Sequence, residues 1–212
     1  TLAEHRPNDA VLSEEAADDS DRLTADRVWI IDPLDGTQEY SEFDRADWAV
    51  HIALWERKDA DGKPSDEGSI TQAAVALPAY NMTLSTHQLP KTPERHDGKP
   101  RLVVSRNRAT REAVIVAEAL DCDVARLGSA GAKAMAVVLG EVDIYVHAGG
   151  MYQWDSAAPI AVAAAAGLFT SRIDGTPLIY NRRDAWLPDL VVCQQHLAQQ
   201  VIDALRAGRI GA

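Results

Sequence analysis

The chain is poor in cysteine, in basic residues and in long apolar runs. Its 212 residues hold only two cysteines, Cys122 and Cys193. They make neither a metal-binding spacing nor a disulfide framework, so a reducing, cytoplasmic setting fits. Each reads as a small buried hydrophobe. No apolar stretch is long enough to span a bilayer, the alanine run from Ala161 to Ala166 being too short and too weakly apolar, and nothing reads as a signal peptide. No membrane partner is expected. Lys and Arg number 21 against 32 Asp and Glu, for a net charge of -11, which argues against binding a nucleic-acid polymer. A small anionic substrate stays open, because a bound cation reverses the local field. Neither an internal repeat nor a low-complexity segment is present.

What remains is a globular composition, 46% hydrophobic and 25% charged, long enough for one large domain or two small ones. Acidic residues crowd between Glu14 and Asp47. Asp18, Asp19, Asp21 and Glu42 read as a solvated acidic face. The informative string is Trp29-Ile30-Ile31-Asp32-Pro33-Leu34-Asp35-Gly36-Thr37. An apolar run drives into one carboxylate, a second follows three residues later, and a glycine and a hydroxyl open the next element. Pro33 fixes φ and removes an N–H, stiffening what reads as a turn between the two aspartates. Two hard oxygen ligands, with the Leu34 carbonyl beside them, suit magnesium. Gly36 permits close backbone approach to an anion. Phosphatases with an aspartyl nucleophile carry Asp-x-Asp-Gly-Thr, but here the position two before Asp35 is Pro33, which disfavours a covalent aspartyl phosphate. Downstream, Trp154-Asp155-Ser156-Ala157-Ala158 offers a third carboxylate at the start of an alanine-rich helix.

The rhythm of the chain divides it. Strands are expected at Val11-Leu12, Val28 to Ile31, Asp47 to Trp55, Ile70 to Leu77 and Met82 to Thr86, with Glu56 to Ser69 as a polar hairpin loop. This meander predicts an antiparallel sheet. After Pro100, strands at Leu102–Val104, Val124–Leu127, Ile144–Val146 and Leu190–Val192 alternate with helices at Ala109–Leu120, Ala132–Leu139, Asp155–Ala166 and Ala198–Arg206, which predicts an α/β layer. The boundary is placed in the loop from His87 to Pro100, giving an α+β part over residues 1–90 and an α/β part over 91–212, with the metal site where they meet.

Asp32 to Thr37, preceded by Ser13-Glu14-Glu15 and followed by Trp154 to Ala158, resembles the inositol monophosphatase superfamily. Glu39 and Tyr40 after Thr37, Val104-Ser105-Arg106, Gly128-Ser129 with Lys133, and the helix through Ala163 to Gly167 are most similar to the CysQ-type 3'(2'),5'-bisphosphate nucleotidases. The resemblance implies a layered αβαβα sandwich. It implies a magnesium-dependent phosphomonoesterase acting on a small phosphate ester, above all 3'-phosphoadenosine 5'-phosphate or its sulfated form, in sulfur assimilation. Inositol phosphate, fructose 1,6-bisphosphate and a catalytically silent sensing role are the rivals. Glu14, Asp32, the Leu34 carbonyl, Asp35 and Asp155 are then expected to hold two or three Mg2+ ions, with Mn2+ as substitute and Li+ as inhibitor. Glu15 and Thr37 would act on the attacking water. Gly36 and Thr37 amides, Ser105, Arg106, Gly128, Ser129, Lys133, His147 and Asp155 would meet the substrate. His147 stands where bisphosphate nucleotidases usually have arginine. The resemblance also implies a homodimer, and an aspartate acting with Thr37 from an upstream segment. That segment, with the N-terminal helices, is expected to be missing from the chain. Replacing Asp35 by Asn is expected to abolish turnover and leave the fold intact.

Overall fold

The computed structural model describes residues 2–90 and 98–210. A short helix α1 (Leu2–His5) leads into the first sheet, formed by β1 (Ala10–Ser13), β2 (Arg27–Asp35), β3 (Ala49–Lys58), β4 (Pro64–Leu77) and β5 (Met82–Ser85) in sequential order, with α2 (Thr37–Ser41) after β2. Only the β1–β2 pair is parallel; the other pairs are antiparallel. The second sheet has the order β7-β6-β8-β10-β9, from β6 (Arg101–Ser105), β7 (Asp123–Leu127), β8 (Ile144–Tyr152), β9 (Phe169–Ser171) and β10 (Trp186–Cys193). Its helices are α3 (Arg111–Ala119), α4 (Ala130–Val138), α5 (Gln153–Ala165) and α6 (Ala198–Ile210).

Two apolar clusters set the layers. Strands of the first sheet pack on α4 and α5, whose other sides meet β8 and β10; Val28, Ile30, Val75, Met135, Val162 and Val192 belong to this one core. Behind the second sheet, Leu102, Val116, Ile144, Val191 and Val201 join β6, β8 and β10 to α3 and α6. α4 is buried around most of its circumference, as its Ala- and Val-rich sequence allows. The order is therefore sheet, helices, sheet, helices. On its outer side the first sheet shows the half-buried Trp29, Ile31, Val50 and Leu54 and the exposed Ile52.

Four segments differ from the sequence reading. β2 does not stop at Ile31: it continues through Asp32 and Asp35, and what reads as a turn is a break in register against β3 between those two residues. A bulge adds residues to one strand and re-aims side chains, so both aspartates come from strand backbone. Residues 56–69 are mostly strand, because β3 and β4 extend outward as a hairpin with irregular register. That projecting hairpin needs no apolar face, which hides it from a hydrophobicity pattern. β9, three residues long, and the extension of β8 from His147 to Tyr152 through two glycines also lack a periodic signal. The expected boundary loop includes residues 91–97, which lie outside the described residues.

Candidate metal centre

Asp32, Asp35 and Asp155 converge, each offering a carboxylate oxygen, with these atoms all within 4.8 Å of one another. The bulge in β2 supplies two of them and the first turn of α5 the third. Each is held. Asp32 Oδ1 accepts the Leu34 N–H at 2.9 Å. Asp155 Oδ2 accepts the Tyr152 N–H at 2.6 Å at the start of α5. Asp35 accepts the N–H groups of Ala130 and Gly131 at 3.2 and 2.6 Å, joining β2 to the first turn of α4.

The electrostatics of the three are unequal. Burial, with the Asp35 charge adding to it, pushes Asp32 up to about 7 against the pull of His51. Burial likewise raises Asp155 to about 6, the Asp35 charge again adding to it. Burial also works to raise Asp35, but His51, the Gly131 N–H and Lys133 outweigh it and leave Asp35 below the usual carboxylate range. His51 is fully buried on β3, opposite Asp32 in register. Its Nδ1 lies 3.1 Å from the Trp154 carbonyl and its Nε2 3.2 Å from Asp35 Oδ2. Both neighbours are acceptors, so both ring nitrogens carry a proton toward them only in the imidazolium form, the Asp35 contact being an ion pair rather than a formed hydrogen bond. Burial opposes that charge; the Asp35 and Asp32 carboxylates and the Trp154 carbonyl outweigh it and raise the pKa of His51.

The donor set fits a divalent cation. Asp32 Oδ2 is buried and has no hydrogen-bond partner among the described residues. Such an orphaned acceptor is costly, and three crowded carboxylates repel. An all-oxygen cluster of this kind suits magnesium.

The other expected site residues lie as follows. Glu14 and Glu15 are exposed, just past β1. Glu14 is outside the 4.8 Å cluster, yet its charge acts on Asp155. Gly36 has φ +88 and precedes α2, a conformation glycine adopts freely. The Thr37 hydroxyl donates to the Leu34 carbonyl at 3.3 Å. Ser105 ends β6. Arg106 is committed to acids, donating to Glu42 Oε1 at 2.7 Å with Glu39 Oε1 at 3.3 Å. The Gly128 N–H donates to Asp47 Oδ2 at 2.6 Å, and a Cβ there would overlap the Glu39 side chain. Ser129 caps α4, its Oγ accepting the Ala132 N–H at 2.9 Å. Lys133 is neither solvated nor free: it is 3% exposed, and its amine donates to the Gly128 and Ser129 carbonyls. Burial pushes it down to about 8. His147 is half-buried, its Nε2 donating to the Gly150 carbonyl at 3.0 Å.

Two acids expected to be solvated are paired instead: Asp18 with Arg22 and Glu42 with Arg106. Sequence reasoning missed His51, although it falls in the inward-facing alternation Ala49, His51, Ala53, Trp55 of β3. An ionisable residue at an inward strand position beside the aspartate strand was the available signal.

Two sheets that sandwich α4 and α5, with three aspartates gathered where the first sheet meets α5, beside a glycine–threonine turn, define a metal-dependent phosphatase. The model of the inositol monophosphatase family matches residues 1–208, and the chain belongs to that family. A 3'-phosphoadenosine 5'-phosphate phosphatase of Mycobacterium bovis is 50% identical over 207 residues, 96% of this chain and 76% of that protein. The 3'(2'),5'-bisphosphate nucleotidase CysQ of Escherichia coli is 32% identical over 193 residues, 85% of this chain and 74% of that protein. Among solved structures, inositol monophosphatase II of Staphylococcus aureus shares the fold with a TM-score of 0.77 at 19% identity, covering 98% of this chain and 80% of that one. No helix among the described residues is long and apolar enough to cross a membrane.

Proposed function

We propose that the chain is a magnesium-dependent phosphatase of a nucleoside bisphosphate, removing the 3'-phosphate of 3'-phosphoadenosine 5'-phosphate. The observations that carry the metal site are the convergence of Asp32, Asp35 and Asp155 and the orphaned Asp32 Oδ2. The name of the M. bovis relative carries the substrate, at 50% identity across nearly the whole chain.

Asp32, Asp35, Asp155 and the Leu34 carbonyl would hold Mg2+, with Glu14 joining from the loop after β1. Bound there, the ion supplies charge for the phosphoryl oxygens and readies a water at neutral pH. The protein's own groups do the rest. Amides of Gly36 and Thr37 hold the phosphate that is cleaved. Glu15 and the Thr37 hydroxyl orient the attacking water. Asp155, tied to the Tyr152 amide, faces the ribose side. Asp47 and Glu39 brace the Gly128–Ser129 turn, and Lys133 beneath it fixes both carbonyls. In this reading Lys133, Arg106 and Ser129 shape the pocket wall, while Ser105 and His147 border it.

The test is phosphate release from 3'-phosphoadenosine 5'-phosphate, inositol 1-phosphate and fructose 1,6-bisphosphate, each with Mg2+, with Mn2+ and with added Li+. A clear preference for the nucleotide supports the assignment; comparable rates on all three remove it.

A further inference from the structure

Arg22 is one of the largest fully buried side chains, at 1% exposure. Its guanidinium joins two segments. Nε and Nη2 donate to Asp18 at 2.6 and 3.0 Å. Nη1 donates to Asn181 Oδ1 at 2.8 Å and to the Arg182 carbonyl at 3.0 Å, and Nη2 reaches the Arg183 carbonyl at 3.2 Å. The Asn181 amide returns a hydrogen bond to the Arg22 carbonyl at 3.1 Å, from a left-handed backbone with φ 56. The same turn is tied to α5 from the other side. Gln153 Nε2 donates to the Asp184 carbonyl at 2.8 Å, and the Gln153 N–H to the Ala185 carbonyl at 2.8 Å. Gln153 stands two residues before Asp155.

Stability alone does not ask for this arrangement. Burying a guanidinium is costly, and a well-packed apolar side chain often does as well. Asp18, its one carboxylate partner among the described residues, is itself 47% exposed. What a planar fork of five donors does uniquely is fix several acceptors at set angles. Here those acceptors are the end of the acidic loop after β1 and the turn that holds the start of α5. β1 runs parallel to β2 with Ser13 paired to Ile31, so the next residue, Glu14, leaves the sheet beside Asp32. The charge of Glu14 already acts on Asp155.

We propose that Arg22 is a positioning residue that sets how far Glu14 reaches toward Asp32 and Asp155. It does so by fastening the acidic loop, through Asp18, to the turn that anchors the Asp155 helix. This rests on the reading of Glu14 as a metal ligand. The loop carries the ligand; Arg22 fixes where the loop can go.

The experiment titrates the chain with Mn2+, followed by electron paramagnetic resonance, in the wild type, Arg22→Lys, Asp18→Asn, Glu14→Gln and the Arg22→Lys/Glu14→Gln double variant. Melting temperature and kcat at saturating Mg2+ are recorded alongside. Arg22→Lys is expected to weaken Mn2+ binding by about tenfold to a hundredfold, the usual effect of removing a residue that orients a ligand. Its kcat at saturating Mg2+ should stay within a few-fold of the wild type. Asp18→Asn should shift affinity the same way by less, and it carries the test if Arg22→Lys does not fold. On the Glu14→Gln background Arg22→Lys should weaken binding no further, since the two act as one unit. A lower melting temperature with unchanged Mn2+ affinity makes Arg22 merely structural and overturns the inference, as does full additivity in the double variant. If Glu14→Gln itself leaves Mn2+ affinity unchanged, the ligand reading of Glu14 falls and takes the inference with it.

Discussion

The Asp35 carboxylate and the His51 ring face each other at 3.2 Å inside the first sheet, and both are buried. The pair ties three elements together: β3 through His51, α5 through the Trp154 carbonyl, and α4 through the amides that Asp35 accepts. A buried ion pair broken on one side leaves an uncompensated charge, typically at a cost of about 3–5 kcal/mol. His51→Ala is therefore expected to destabilise the protein by about 3 kcal/mol in chelator. Mg2+ should restore part of the loss by taking over the neutralisation of Asp35. Urea unfolding with and without Mg2+ checks both, and an equal deficit in the two conditions dismisses the electrostatic account.

Asp32 and Asp35 should answer differently to the same change. Among the described residues Asp32 makes one hydrogen bond, to the Leu34 amide, and its other oxygen is an orphan. In Asp32→Asn the remaining oxygen can keep the amide bond while one of three crowded charges disappears. The metal-free variant should be at least as stable as the wild type, with phosphate release down by about a hundredfold or more. Asp35→Asn should fail on both counts, because it discharges the partner of His51. Against the sequence expectation of an intact fold, the geometry of Asp35 predicts lower stability for this replacement. Thermal melts of the two metal-free variants decide the matter.

Metal removal is the complementary experiment. A ligand that binds only the folded state stabilises it by about 2.7 kcal/mol at a hundredfold excess over Kd. Wild-type protein should therefore melt several degrees higher in saturating Mg2+ than in chelator, and Asp32→Asn should lose most of that rise. A shift retained in Asp32→Asn would place the cation elsewhere.

The two cysteines should be inert. Burial, with nearby Asp143, Asp121 and Asp123 adding to it, pushes the Cys122 thiol up to about 11. Burial pushes the Cys193 thiol to about 12. The thiolate is the reactive form, so neither residue should react quickly with an aromatic disulfide reagent at pH 8, while the urea-unfolded chain should titrate two thiols. The stability linkage has the matching sign. Unfolded thiols ionise near 9.0 and the folded ones only higher. Their contribution is full below pH 9 and is lost as pH rises through 11 to 12.

The parts of the site written as a contiguous string were legible in the sequence. Asp32 to Thr37 and Trp154 to Ala158 each carry a carboxylate at an element's end, and the family resemblance linked them. The alternation after Pro100 gave the second sheet its strands and helices, except β9. Less legible was everything made by contacts across distance. His51 looks like one more alternating position in β3 until the fold sets it against Asp35. Lys133 looks like a surface lysine in an alanine-rich helix, yet α4 is sandwiched between the sheets and its amine turns back to the Gly128 and Ser129 carbonyls. Arg22 sits in an acidic stretch whose composition suggests solvent, and its partners other than Asp18 lie about 160 residues away.

Gly131 gives the sharpest test of how tightly this centre is packed. It lies in the second position of α4, where the backbone is helical. By propensity alone, replacing a helical glycine with alanine should stabilise by roughly 0.5–1 kcal/mol. The surroundings reverse the sign. A Cβ on Gly131 would overlap His51 Nε2 and sit 3.0 Å from the Ala49 Cβ. His51 cannot retreat without leaving the Trp154 carbonyl and Asp35, and Gly131 cannot retreat without giving up its N–H bond to Asp35. Overpacking of this kind typically costs about 1–3 kcal/mol, more than the propensity gain. Gly131→Ala should therefore lower the urea midpoint and weaken Mg2+ binding together. If it raises the midpoint, the ring of His51 has room to move and the link from α4 to the aspartates is looser than these distances imply.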